Sequence, residues 1–105
     1  MRKSLVVLAV AGLLLGIAAV AASGSAPTAK WHLPTKSTVK IHRGASVKWV
    51  WTGDGLDHNV KGPGFKSATS SKKGFSYTHK FNKKGSFTIV CGIHGSAMKT
   101  TVKVS

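Results

Sequence analysis

Most of the chain after residue 35 alternates apolar and polar residues with a period of two, the repeat of a β-strand with one buried face. Within one such run, Val47, Trp49 and Trp51 share a parity, and two buried tryptophans fill much of a small core. Turns rich in Gly, Lys and Ser separate the runs, and no stretch after residue 30 has a helical period. The runs cover residues 38–42, 47–51, 75–81, 86–91 and 100–104. The pattern predicts an all-β fold, a small antiparallel β-sandwich of five or six strands.

The cysteine of the chain lies at the end of one run and opens a short loop that holds two more soft donors. Cys91, His94 and Met98 follow one another within eight residues, and strand parity places Cys91 and Met98 on the buried face. Thiolate, imidazole and thioether together select copper over magnesium or calcium, and copper is commonly held by one Cys, two His and a weak axial Met. The loop therefore predicts a site for one copper ion that needs a second histidine.

His58 is the better of two candidates for that histidine. It ends the glycine-rich loop after the 47–51 run, so it can lie at the same end of the sandwich as Cys91. His79 is the alternative because it shares the apolar parity of its run, although a histidine at the core edge bonded to the backbone is the more common case. Other chemistries fit poorly, since a c-type haem site and a structural zinc site both need more cysteines. A Cys–His nucleophile would need an orienting third group and a cleft, for which so small a domain has little room.

Two segments of the chain resemble the copper-binding segments of the cupredoxins, in the plastocyanin and amicyanin branch. They are Asp57-His58-Asn59-Val60 and residues 85–99, with the sequence GSFTIVCGIHGSAMK. The resemblance extends over roughly Val39 to Val104. It implies a Greek-key β-sandwich with one type 1, or blue, copper ion near one end, which carries single electrons and is not an enzyme.

The same resemblance implies a role for each matching residue. His58, Cys91 and His94 would be the equatorial copper ligands, and Met98 would be the weak axial ligand. Asn59 would brace the loop by hydrogen bonds near the cysteine sulfur. Ile93 stands where several relatives have proline, so its backbone N–H is available to the Cys91 sulfur, a bond that would stabilise the reduced site and raise the reduction potential.

The first 22 residues have the pattern of a secretory signal peptide, with Arg2-Lys3, an apolar run and a small-residue end at Ala19-Val20-Ala21. An uncleaved membrane-anchor helix is the alternative, since the apolar run of residues 5–22 is just long enough to span a bilayer. Residues 23–35 are predicted to be a flexible tether, and residues 36–105 the cupredoxin-like domain. We expect export to the periplasm, the cell envelope or the exterior, where a bound metal would protect the single cysteine.

The chain is strongly basic, with 16 Lys and Arg against two acids and a formal net charge of +14, about +12 without Arg2 and Lys3. This charge attracts acidic proteins, anionic lipids and wall polymers. Export argues against nucleic acid as the partner. We therefore expect a monomer that docks on an acidic redox partner, with association to a membrane surface or wall as a second expectation.

Two other functions remain open from the sequence. The same four ligands would serve copper delivery or storage, and a cationic module that binds polyanions would need no metal.

Overall fold

A computed structural model describes residues 26–105, and these residues form eight β-strands. The strands are β1 (Thr28–Trp31), β2 (Thr35–Ile41), β3 (Ser46–Trp51), β4 (Lys61–Gly62), β5 (Phe65–Lys66), β6 (Ser76–Lys80), β7 (Gly85–Cys91) and β8 (Gly95–Val104). Within this part of the chain, no helix has the length and apolar character needed to cross a membrane. The predicted signal or anchor helix of residues 1–22 lies outside the described residues.

The strands form two sheets that pack face to face. One has the order β1-β3-β6 and the other the order β2-β8-β7-β4-β5. This confirms the predicted all-β sandwich. Two pairings, β1 with β3 and β2 with β8, are parallel, so the sheets are mixed rather than antiparallel throughout. The sequence pattern did not show this because period-two alternation is the same in either strand direction.

A single core lies between the sheets, and the three tryptophans dominate it. Trp31, Trp49 and Trp51 are at most 2% exposed, and the Trp31 and Trp49 rings meet edge to face at 6.5 Å. The second sheet contributes the inward residues of β7 and β8: Ile89, Cys91, Met98, Thr100, Val102 and Val104. Residues 26–105 thus contain both sheets and the core that they share.

The segment predicted to be a tether, residues 23–35, differs in the structure from that prediction over its second half. Thr28–Trp31 form β1, which pairs in parallel with β3, and Thr35 already belongs to β2. Trp31 is fully buried, and its indole N–H donates to the Asn59 carbonyl at 2.9 Å. Only two residues of β1, Ala29 and Trp31, face inward. So short an alternation of buried and exposed residues, placed between two prolines, could not be recognised as a strand from the sequence.

Two loops bring the chemistry-bearing residues to one end of the sandwich. Val90 pairs with Lys99, the register shifts after Val90, and a turn at residues 92–94 leads into β8. Gly95 pairs with Cys91 and adopts a positive φ of 64°, which a residue without a Cβ tolerates most easily. The loop after β3 ends at His58, whose backbone N–H and carbonyl both hydrogen-bond to Ser70.

Candidate metal centre

Three soft or borderline donor atoms meet at this end of the sandwich. The Nδ1 atoms of His58 and His94 lie 3.3 Å apart, and the Cys91 sulfur lies 3.5 Å from His94 Nδ1 and 4.0 Å from His58 Nδ1. The three side chains lie close enough together to hold one metal ion, with Cys91 and His58 buried and His94 half-buried. His58, the second histidine preferred from the sequence, therefore lies beside Cys91.

The Cys91 sulfur and the two histidine Nδ1 atoms form a triangle, and its sides can be compared with the donor–donor distances around a bound metal ion. An ion at its centre, with nitrogens at about 2.0 Å and a sulfur at about 2.3 Å, would hold the nitrogens about 3.5 Å apart and each nitrogen about 3.7 Å from the sulfur. The distances in the structure lie within a few tenths of an ångström of these values. The donor set, one thiolate and two imidazoles, is also the equatorial set of copper electron-transfer sites. The residues present therefore fit a copper ion.

Met98 is the fourth predicted residue, and it lies in the core on the inner face of β8. It is fully buried, as is Cys91. Because Val90 pairs with Lys99, the next residue along β7, Cys91, and the preceding residue of β8, Met98, both lie at this end of the sheet and face inward.

The Asn59 side chain ties the two loops of the site together. Its Oδ1 accepts from the Gly92 backbone N–H at 2.7 Å, directly after Cys91, and its Nδ2 donates to Thr69 Oγ1 at 3.3 Å. A Cβ at position 92 would lie 2.9 Å from Asn59 Oδ1, so a larger residue there would have to displace the Asn59 amide. The polar contacts of the Cys91 sulfur in the described residues are those with the two histidines. A bond from the Ile93 N–H stays a prediction.

Asp54 is a residue of the site that sequence reasoning missed. Its two carboxylate oxygens lie 2.8 and 2.9 Å from His58 Nε2. The backbone N–H groups of Leu33 and Leu56 also donate to this carboxylate, at 2.8 and 3.0 Å. With Nε2 donating to Asp54, the proton is placed on Nε2 and the Nδ1 lone pair of His58 is directed toward Cys91 and His94.

The carboxylate of Asp54 can accept the hydrogen bond from His58 Nε2 as a charged group because it stays ionised at neutral pH. Desolvation alone would raise its pKa, but the hydrogen bonds from Leu33 and Leu56 and the interaction with His58 outweigh that effect and lower the pKa to about 2. Asp54 therefore presents a full negative charge to the His58 ring at neutral pH. The signal in the sequence was an acid four residues before the candidate ligand, which by itself is too common to single out.

His79 does not contribute to this group. Its ring stacks on Phe65 at 3.6 Å between ring centres and meets Phe81 edge to face at 4.9 Å. Burial among these aromatic rings lowers its pKa and so favours the neutral form of the ring. The structure thus places His58 with Cys91 and His94, and His79 in an aromatic cluster of its own.

Comparison with known proteins decides the family. The sequence model of the copper-binding proteins of the plastocyanin/azurin family matches residues 34–105, more than half of the chain. The chain belongs to this family of cupredoxins. His58, Cys91, His94 and Met98 are accordingly positioned to bind one copper ion.

Individual relatives of this cupredoxin are distant. A halocyanin from Natronomonas pharaonis is 32% identical in an alignment of 63 residues that covers 55% of this chain and 39% of the halocyanin. The chain thus matches well under half the length of that relative. A purple cupredoxin from Nitrosopumilus maritimus has the same fold, with a TM-score of 0.56 and 24% identity over 65% of this chain and 77% of that one. A variant of oxidised amicyanin superposes with a TM-score of 0.64 and 21% identity over 82% and 90% of the two chains.

A substitution at Asp54 tests its contact with the site in this cupredoxin. Asp54→Asn keeps an amide oxygen that can accept from His58 but removes the negative charge. We expect it to weaken Cu(II) binding about 10–100-fold, the usual effect of mutating the partner of a metal-binding histidine. The reduction potential should rise, because a negative charge on the far side of His58 favours the more positive oxidation state. Chelator competition and potentiometry measure the two effects.

Asp57→Asn is the matched control for this experiment. It removes the same charge from the same loop, and Asp57 is exposed and has no bond to His58 among the described contacts. Equal changes in the two variants would mean that only the overall charge matters.

Proposed function

We propose that this protein is an exported type 1 copper protein that carries single electrons between redox partners. In this proposal, His58, Cys91 and His94 would hold the copper ion, and Met98 would be a fourth, weaker ligand. The observation that carries it is the triangle of one thiolate and two imidazole donors at distances that fit one ion, in a family of copper-binding proteins. Copper, when bound, supplies the one-electron chemistry.

The chain's own contribution is to keep the donor atoms still. Cys91 and Met98 are fully buried, and His58 is held at its ring by Asp54 and at its backbone by Ser70. Side chains locked in a packed interior cannot easily rearrange when the charge of the site changes. Such a site needs little reorganisation for each electron transferred, which favours a carrier over an enzyme.

His94 is the proposed exit for the electron, because it is the donor residue nearest to solvent. It is half-buried in the turn between β7 and β8, whereas Cys91 and His58 are at most 1% exposed. Leu56 and Ile93, at 44% and 51%, are the large hydrophobic side chains that are exposed in residues 26–105. Both lie in loops of the site, and with Gly92, Gly95 and Ala97, all exposed, they would offer an apolar patch to a partner.

We propose an acidic redox partner for this patch, since the domain carries a formal charge of about +12. Opposite charges raise the rate of encounter, and salt screens the effect within about 10 Å at 0.1 M. The rate of electron transfer to such a partner should therefore fall as ionic strength rises. Export rests on the signal pattern of residues 1–22, and the proposed location is outside the cytoplasm.

The test begins with the metal-free domain of residues 26–105 and one equivalent of Cu(II). An intense visible thiolate-to-copper absorption band is expected, followed by rapid electron self-exchange between reduced and oxidised protein. Slow self-exchange with ready transfer of Cu(I) to an acceptor protein would instead indicate copper delivery. No visible band at all would overturn the copper proposal and favour a metal-free cationic module.

Ile93→Pro tests whether the backbone at position 93 sets the potential. Proline has no N–H, so any hydrogen bond from this position to the Cys91 sulfur would be lost and the oxidised site would become more stable. We expect a lower reduction potential in voltammetry. Ile93→Ala, which keeps the N–H, is the control, and an unchanged or higher potential in Ile93→Pro would contradict the idea.

A further inference from the structure

The outer face of the five-stranded sheet carries an ordered array of lysines. One row runs across the whole sheet through successive strand pairs, and a second row lies four residues further along β2 and β8. Hydroxyl side chains lie between the rows. The first row is Lys36, Lys99, Val90, Lys61 and Lys66, the middle row is Thr38, Thr101 and Thr88, and the second lysine row is Lys40, Lys103 and Ser86. The six lysines of these rows are called the lysine face below.

Three pairs within the lysine face place like charges directly opposite each other. Lys36 is paired with Lys99, Lys40 with Lys103, and Lys61 with Lys66. Paired residues on adjacent strands are about 5 Å apart, and like charges at that position destabilise a sheet. The fold therefore tolerates a concentration of positive charge that its own stability does not favour.

The smaller sheet shows that the general excess of lysine does not force such pairs. Its outer face also has three exposed lysines, but each has an uncharged partner: Lys48 lies opposite Thr28 and Thr78, Lys30 opposite Val50, and Lys80 opposite Ser46. The two acids of the chain, Asp54 and Asp57, lie in the loop after β3 and leave the lysine face without neutralising partners.

We propose that the lysine face binds the surface of an anionic lipid membrane. Four strand spacings by four residues along a strand give it an extent of about 19 by 13 Å. An array that extends this far in two directions matches a layer of headgroups better than a linear polyanion, which a single groove or stripe would follow.

A protein partner fits this face less well than a membrane. Protein interfaces depend on buried aromatic or apolar anchors at their centre and are depleted in lysine. The exposed large hydrophobic residues of the described chain, Leu56 and Ile93, lie at the metal end and not on the lysine face. Attraction of lysines to anionic headgroups needs no such anchor. If it is not cleaved, the apolar run that ends at Ala22 would also hold the domain close to a bilayer, since only five residues separate it from β1.

Membrane binding through this face would leave the metal end free. The strands would lie along the bilayer, and His94, at the end of β7 and β8, would point sideways and not into the lipid. The lysine face lies on the side of the sheet and the apolar patch around His94 at its end, and the two adjoin on β8 between Ala97 and Lys99. The proposal does not depend on copper, so it stands or falls separately from the electron-carrier function.

The test compares two triple variants that lose the same charge. Lys36→Gln/Lys40→Gln/Lys103→Gln removes half of the lysine face, and Lys30→Gln/Lys48→Gln/Lys80→Gln removes the three lysines of the other sheet. Sedimentation with vesicles of phosphatidylcholine mixed with anionic phosphatidylglycerol, using the metal-free 26–105 domain, gives the partition coefficient. Each lysine near an anionic surface contributes roughly a fivefold factor, so we expect a loss on the order of a hundredfold in the first variant and less than about fivefold in the second.

Several results would overturn the proposal. They are equal losses in both variants, equal binding to purely neutral vesicles, or binding to soluble heparin without binding to anionic vesicles, which would indicate a linear polymer. Circular dichroism of both variants checks that each is folded, and single Lys→Gln changes replace a triple variant that is not. Because the vesicles are mixed with metal-free domain, a negative result leaves the visible copper band and self-exchange tests unaffected.

Discussion

Cys91→Ser is expected to abolish the intense visible absorption that the wild-type domain acquires with one equivalent of Cu(II). The band arises from charge transfer between thiolate and copper, and serine offers a hard oxygen in place of the soft sulfur. Cys91 is fully buried beside both histidine Nδ1 atoms and is the single cysteine of the chain, so no other thiolate can take its place. Absorption spectroscopy measures the loss, and circular dichroism confirms that the near-isosteric variant is folded.

Two histidine variants complete this experiment as a matched pair. His58→Ala removes a donor of the triangle and should eliminate or strongly alter the band, whereas His79→Ala should leave it unchanged because His79 stacks on Phe65 away from the site. A band that survives in Cys91→Ser, or one that disappears in His79→Ala, would contradict the ligand assignment.

Trp31→Ala is expected to lower the free energy of unfolding by about 3–5 kcal/mol, the cost of truncating a buried tryptophan. Trp31 has no exposed surface, packs on Trp49 and donates its indole N–H to the Asn59 carbonyl. Asn59 in turn holds the Gly92 N–H, so the loss should also reach the metal end. Urea denaturation of the metal-free domain measures the difference.

Lys30→Ala is the control for this change, since Lys30 is the exposed neighbour of Trp31 in β1. A substitution on that outer side should alter the free energy of unfolding by about 0.5 kcal/mol or less. If Trp31→Ala were as mild as Lys30→Ala, β1 would behave as the flexible tether that the sequence suggested and not as part of the core.

The sequence alone predicted the class of fold and three donor residues that the structure brings together, His58, Cys91 and His94. Period-two alternation with glycine-rich turns is a local property, and it correctly predicted strands, their buried faces and a sandwich. The spacing of Cys91, His94 and Met98 indicated copper because the donor types themselves select the metal. His58 was the preferred partner from its place after the β3 loop, and the family match of residues 34–105 confirms the cupredoxin resemblance.

Features that depend on contacts between distant residues were decided only by the tertiary structure. β1 becomes a strand because β3 provides its hydrogen bonds, and the parallel direction of β2 and β8 leaves no trace in either segment. Asp54 gains its role from a histidine four residues away and from Leu33, 21 positions earlier in the chain.

The lysine face also combines a local property, the side of the strand on which each lysine lies, with a tertiary one, the residue that it is paired with. The alternation of Lys36 and Lys40 predicted only that each would point away from the core. Strand register then aligned them with Lys99 and Lys103, some 63 positions away, into rows of like charge. Local sequence determines which side of a strand a residue occupies. The pairing of strands, a balance of packing and hydrogen bonding over the whole sheet, determines its neighbours.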